Sequence, residues 1–197
     1  MFDRKNTGKK IGVYSKIMSK YVEICEYIYE YDFPVASMFD FYSEDIVENY
    51  FKKQQKEFAA GYSYEYENKH LCEKVSTAFE KIINDDFEVS ERLNKTKLWT
   101  YVQNDELFNC VSHNHVRSST INAVFYINPP EKEGGGGLEY TIGNEVHTLY
   151  PQTNKLYVMP YWLYHRPLPQ SEKKWRISVN IEYECSRRPV HKSGAVW

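Results

Sequence analysis

The chain has 197 residues, 42% of them hydrophobic and 26% charged, with a formal net charge of −2. That is enough for one domain with a sizeable core, or one domain with a helical elaboration. The charge balance excludes a strong overall field that would draw the protein onto nucleic acid or an anionic membrane, and no apolar run approaches bilayer length.

Chain order begins with Met1-Phe2-Asp3-Arg4-Lys5, a polar start that does not read as a signal peptide. Cys25, Cys72, Cys110 and Cys185 are scattered, without a C-x-x-C pair, so the expectation is free thiols in a reducing cytoplasm. The first half reads as helical. Ile17, Tyr21, Ile24 and Ile28 form one helical stripe, stopped by Pro34. Ser43 caps a second candidate helix, with Glu44 and Asp45 in its first turn. Val47, Tyr50, Phe51 and Phe58 continue it to Gly61. Leu71, Val75, Phe79 and Ile82 make a third stripe.

Beyond this the apolar period changes. Leu98 to Gln103, Thr120 to Asn128, Glu145 to Leu149 and Lys155 to Met159 read as strands. Trp175 to Tyr183 alternates, with Trp175, Ile177, Val179, Ile181 and Tyr183 on one face. Arg176, Ser178, Asn180 and Glu182 take the other face. Short strands broken by Gly, Pro and Asn predict a jelly roll or related sandwich, with the helices packed outside it. The short basic end, Arg187-Arg188 and His191-Lys192, reads as a solvated tail. Gly134 to Gly137 lacks the ending of a phosphate loop and reads as a flexible hairpin or lid.

The chemistry-bearing residues lie in the second half. His113 and His115 stand at i and i+2 and can grip one ion from one strand face, and His165 can close the triangle from another strand. Imidazole suits Fe(II), Zn, Cu and Ni. Downstream, Arg176 offers a planar fork for a carboxylate and Ser178 a further hydrogen bond. His147 and His70 have no partner at metal spacing.

From Leu98 to Tyr183 this order resembles the Fe(II)- and 2-oxoglutarate-dependent dioxygenases, above all the small prolyl-hydroxylase-like oxygenases of bacteria and phages. Gly136-Gly137-Leu138-Glu139-Tyr140 is similar to that family's G-G-x-L segment. Tyr157 to His165 resembles the segment that delivers its distal histidine. The resemblance implies a double-stranded β-helix, an α+β and mainly β fold with N-terminal supporting helices. It implies His113, His115 and His165 as metal ligands. Arg176, Ser178 and Tyr126 would be the 2-oxoglutarate anchors. The family carries Asp or Glu where this chain has His115, so three neutral imidazoles would leave the centre one negative charge short. Either His115 coordinates in place of the acid, or a carboxylate such as Glu139 substitutes, or the position is left to water, or the site holds no iron. Trp99, Tyr101 and Trp162 are the candidate substrate-facing aromatics.

The expectation is therefore one oxygenase domain over residues 1–185, with a helical front at about 10–90, a β core at about 96–185 and a tail at 186–197. It would use Fe(II), 2-oxoglutarate and O2 to hydroxylate a small molecule or peptide, without a membrane or nucleic-acid partner. The family points to a prolyl side chain; a free amino acid, a nucleobase or a small metabolite stays open. Two rivals remain. One is a cupin-like three-histidine dioxygenase that does not use 2-oxoglutarate, although Val116-Arg117-Ser118-Ser119 lacks the glutamate a cupin places there. The other is a non-catalytic jelly-roll binding module.

Overall fold

The computed structural model describes residues 10–12, 21–25, 27–37, 69–94, 96–103, 111–116, 120–129, 135–169, 175–195 and 197. Seven strands form one antiparallel sheet: β1 (Lys10–Gly12), β2 (Tyr21–Cys25), β3 (Ile28–Asp32), β5 (Lys97–Gln103), β6 (Ile121–Asn128), β9 (Lys155–Pro160) and β11 (Arg176–Tyr183). Their order across it is β1-β2-β3-β9-β6-β11-β5. A smaller antiparallel sheet runs β10 (Tyr164–Pro167), β7 (Leu138–Ile142), β8 (Glu145–Leu149). The pair β12 (Val190–His191) and β4 (Phe87–Glu88) is separate, and one helix, α1, spans Lys69–Asp86.

Both faces of the large sheet are covered. Odd-numbered residues of β6 and β11, among them Phe125, Ile127, Ile177, Val179 and Ile181, pack with Val75, Phe79, Ile82 and Ile83 of α1. On the opposite face Val124, Tyr126, Tyr157 and Met159 pack with Leu138, Tyr140 and Leu149 of the small sheet. The result is a helix, a seven-stranded sheet and a three-stranded sheet in layers, a mainly β arrangement of the kind the second-half pattern predicts. The alternation read along Trp175 to Tyr183 holds, but all eight residues of β11 are buried, because its polar face also meets protein.

Two expectations are corrected here. Tyr21, Ile24 and Ile28 belong to the β2–β3 hairpin, not to a helix. Val22, Tyr27 and Tyr29, between and beside them, are also β-forming, and a strand covered on both faces carries apolar residues on both. Ile28 accordingly joins the apolar cluster on one side of the sheet, and Tyr29 and Tyr31 the cluster on the other. The C-terminal segment is not a solvated tail either. His191 and Trp197 are buried with Tyr29 and Phe87, and the His191 ring stacks on Tyr29 at 3.7 Å between centroids. The helix expected from Ser43 to Phe58 lies outside the described residues, whereas the third stripe is α1. Cys72 and Cys185 are free thiols. Among the described residues no helix is long and apolar enough to cross a membrane.

Candidate metal centre

His113 and His165 are joined by an antiparallel bridge, with N–H···O distances of 3.0 and 2.9 Å between their own main chains. The His115 amide donates to Tyr161 O at 2.8 Å. These bonds fasten the short His113–His115 segment to the edge of β10 and bring both rings beside His165. The ring centroids lie 5.3 Å (His113–His115), 4.7 Å (His113–His165) and 5.2 Å (His115–His165) apart. One ligand atom from each residue falls within 4.8 Å of the other two, and among the described residues this is the group of three that can hold a metal.

The tautomers follow from the partners. Nδ1 of His113 faces Val111 O at 3.0 Å, and Nδ1 of His165 faces Leu163 O at 2.9 Å. Nδ1 of His115 faces Glu182 Oε1 at 3.0 Å. Each partner is a carbonyl or carboxylate oxygen, which accepts only, so each Nδ1 carries the proton. In a neutral ring the lone pair is then on Nε2, the nitrogen a metal takes. Nε2 of His115 is buried and has no hydrogen-bond partner, an arrangement that is costly unless something occupies it. Burial holds the His165 imidazole down at about 3, and burial also lowers His113. Both rings are therefore neutral near pH 7 and able to coordinate. The donor set fits a borderline cation such as Fe(II) or Zn(II).

Beside the histidines is a cavity of about 130 Å³ lined by Trp99, His113, Val124, Tyr126, Leu138, His165, Pro167, Ser178 and Asn180. The large sheet supplies the wall from β5, β6 and β11, and the small sheet supplies Leu138, His165 and Pro167. The structure thus brings Ser178, Tyr126 and Trp99 to one cavity with two of the three histidines. Arg176 is buried beside it, and its Nη1 donates to Gly136 O at 2.6 Å and Leu168 O at 2.9 Å. Trp162 packs edge-on against Tyr27 at 4.9 Å and is not among the lining residues. Tyr101 stands opposite Ser178 in the β5–β11 register, and its side chain lies outside the described residues.

The glycine run is fastened where it is described. Gly136 N donates to Pro169 O, Leu168 N donates to Gly137 O, and Arg176 holds Gly136 O. A Cβ at Gly137 would come within 2.9 Å of Leu149 O, so glycine there serves close approach of β7 to β8 more than lid freedom. Glu139 is paired with Arg166 at 2.7 Å and is not in the metal group, which removes it as the substitute ligand. The acid that does touch the histidines is Glu182. Sequence reasoning placed it on the polar face of β11, at most as an ion-pair partner for Arg176, although an acid on the same strand face as Arg176 and Ser178 was the available signal.

No family model matches the chain, and no curated protein matches it in sequence. Solved structures do match. A Pseudomonas putida prolyl-4-hydroxylase superposes with a TM-score of 0.57 at 14% identity, over 78% of this chain and 89% of that one. The viral collagen prolyl hydroxylase of Paramecium Bursaria Chlorella virus-1, solved as its 2-oxoglutarate complex, gives 0.53 at 12% identity over 80% and 95%. The non-haem α-ketoglutarate-dependent carbocyclase SnoK gives 0.55 at 8% identity over 80% and 78%. At these identities the likeness is one of fold: the chain is built like the prolyl-4-hydroxylases and related 2-oxoglutarate-dependent oxygenases.

Proposed function

We propose that the protein is a non-haem Fe(II)- and 2-oxoglutarate-dependent oxygenase, a hydroxylase on a double-stranded β-helix. The observation that carries this reading is the convergence of His113, His115 and His165, each with Nδ1 occupied, beside a cavity on this fold. Fe(II) held by the three Nε2 atoms would supply open positions for 2-oxoglutarate and O2 and the oxidising power for the reaction. In sum, 2-oxoglutarate, O2 and a substrate C–H give succinate, CO2 and the C–OH product.

The chain's own residues have separable tasks. Val111 O, Leu163 O and Glu182 hold the three rings in the coordinating tautomer. Ser178, Tyr126 and Arg176 are the anchors for the distal carboxylate of 2-oxoglutarate, with Arg176 also fixing the wall through Gly136 and Leu168. Val124, Leu138 and Pro167 give the cavity an apolar lining. Trp99, in the cavity wall, is the aromatic of the substrate side. Among the relatives in fold, several act on prolyl side chains, and a peptide or a small molecule is the substrate class proposed here.

The test is succinate formation from 2-oxoglutarate under air with added Fe(II). The wild type is expected to form succinate slowly above the protein-free background even without substrate, and His165→Ala to fall to that background. Equal succinate from both proteins, or none from either, would count against the reading.

A further inference from the structure

Glu182 reaches His115 from inside the protein: the two side chains are 9% and 7% exposed. A carboxylate is costly to bury unless it is paired and hydrogen-bonded. An apolar residue at this position of β11 would fill the same space at lower cost. Asn122, opposite Glu182 in the β6–β11 register, is also buried, and neither its Oδ1 nor its Nδ2 has a hydrogen-bond partner. A polar seam therefore runs behind His115, on the sheet face that also buries Asn180, Ser178 and Arg176. Behind Nδ1 of His113 and of His165 stands a main-chain carbonyl, which carries no charge. Among the described residues, the charged group that touches the histidine set is the Glu182 carboxylate.

We infer that Glu182 is a positioning residue of the metal centre. It fixes the His115 ring through Nδ1–H, and it returns to a three-imidazole site the negative charge that a direct carboxylate ligand would otherwise bring. Its carboxylate acts through the imidazole instead of on the metal, raising the donor strength of His115 Nε2. The inference rests on the metal reading given under Proposed function. It adds that the missing charge has moved one residue outward, from the ligand to the group behind it.

The test is a titration of metal-free protein with Co(II), followed by its visible absorption, in the wild type, Glu182→Gln, Glu182→Asp and Glu182→Ala. Gln keeps an acceptor for Nδ1–H and loses the charge; Asp keeps the charge on a shorter arm; Ala loses both. Relative to wild type, binding is expected to weaken by about 10-fold in Glu182→Gln and about 100-fold in Glu182→Ala, the span typical of groups that support metal-bound histidines. Glu182→Asp is expected to recover part of the loss, and the Co(II) band to change shape in Glu182→Ala. Thermal melts of the metal-free proteins separate folding from binding, and Glu182→Gln decides the matter if Glu182→Ala does not fold. Variants that lose stability while keeping wild-type Co(II) affinity and spectrum would overturn the inference and leave the metal reading standing. A wild type that binds no Co(II) would overturn both.

Discussion

Arg176 shows how much one side chain can be asked to do. Its Nη1 holds two main-chain carbonyls, one 40 residues away in the glycine run and one 8 residues back at Leu168. Hydrogen bonds to a charged donor contribute about 1.5–3 kcal/mol each, so these two matter for the wall of the cavity itself. Lysine keeps the charge but not the planar fork. Arg176→Lys is therefore expected to lower the thermal midpoint by a few degrees and to weaken 2-oxoglutarate binding by about 10-fold, read by melting and by ligand titration. A lower midpoint with unchanged 2-oxoglutarate affinity would make Arg176 a fastener of the wall alone. The strand alternation made Arg176, Ser178 and Asn180 legible as one face. It could not show the carbonyl partners, since a main-chain oxygen leaves no mark in the side-chain pattern. Glu182 was visible on the same face but not its partner His115, because 67 residues separate them and only the fold brings them together.

At the scale of elements, five strands of the second half (β5, β6, β8, β9 and β11) were legible because they lie near Gly, Pro or Asn breaks and carry β-branched or aromatic residues, whereas β10 was not read as a strand. The β2–β3 hairpin was not. Tyr21, Ile24 and Ile28 sit at helical spacing, and in a sheet buried on both faces the period of two that would mark a strand is lost. The C-terminal segment was misjudged on charge. Its basic residues are exposed, but His191 and Trp197 between and beyond them close over Tyr29 and Phe87. That packing has a pH signature. Burial, with Lys192 adding to it, holds the His191 imidazole down at about 4 instead of 6.5. The unfolded chain then binds more protons than the folded one between these values. The stabilisation is complete above about pH 6.5 and is lost as the pH falls towards about 4. His191→Phe retains a ring for the stack and has no proton to gain. Its thermal midpoint is expected to fall less than that of the wild type between about pH 7 and about pH 4.5. Parallel declines in the two proteins would show that the acid sensitivity lies elsewhere.

The whole molecule joins a helix-backed seven-stranded sheet to a three-stranded one, and the candidate site draws on both. His165 comes from the small sheet, with His113 bridged to it, whereas Ser178, Asn180, Trp99 and Glu182 come from the large one. Neither sheet alone carries the set, which is why residues spread from Trp99 to Glu182 form one constellation only in the folded chain. The central claim is that this constellation binds Fe(II) and then 2-oxoglutarate on the iron. The direct measurement is an anaerobic titration of metal-free protein with Fe(II), then 2-oxoglutarate, followed by visible absorption. A weak charge-transfer band is predicted when 2-oxoglutarate is added to the iron-loaded protein, absent in His165→Ala and diminished in Arg176→Ala. Iron binding with no band on addition of 2-oxoglutarate, or no iron binding at all, would contradict the account.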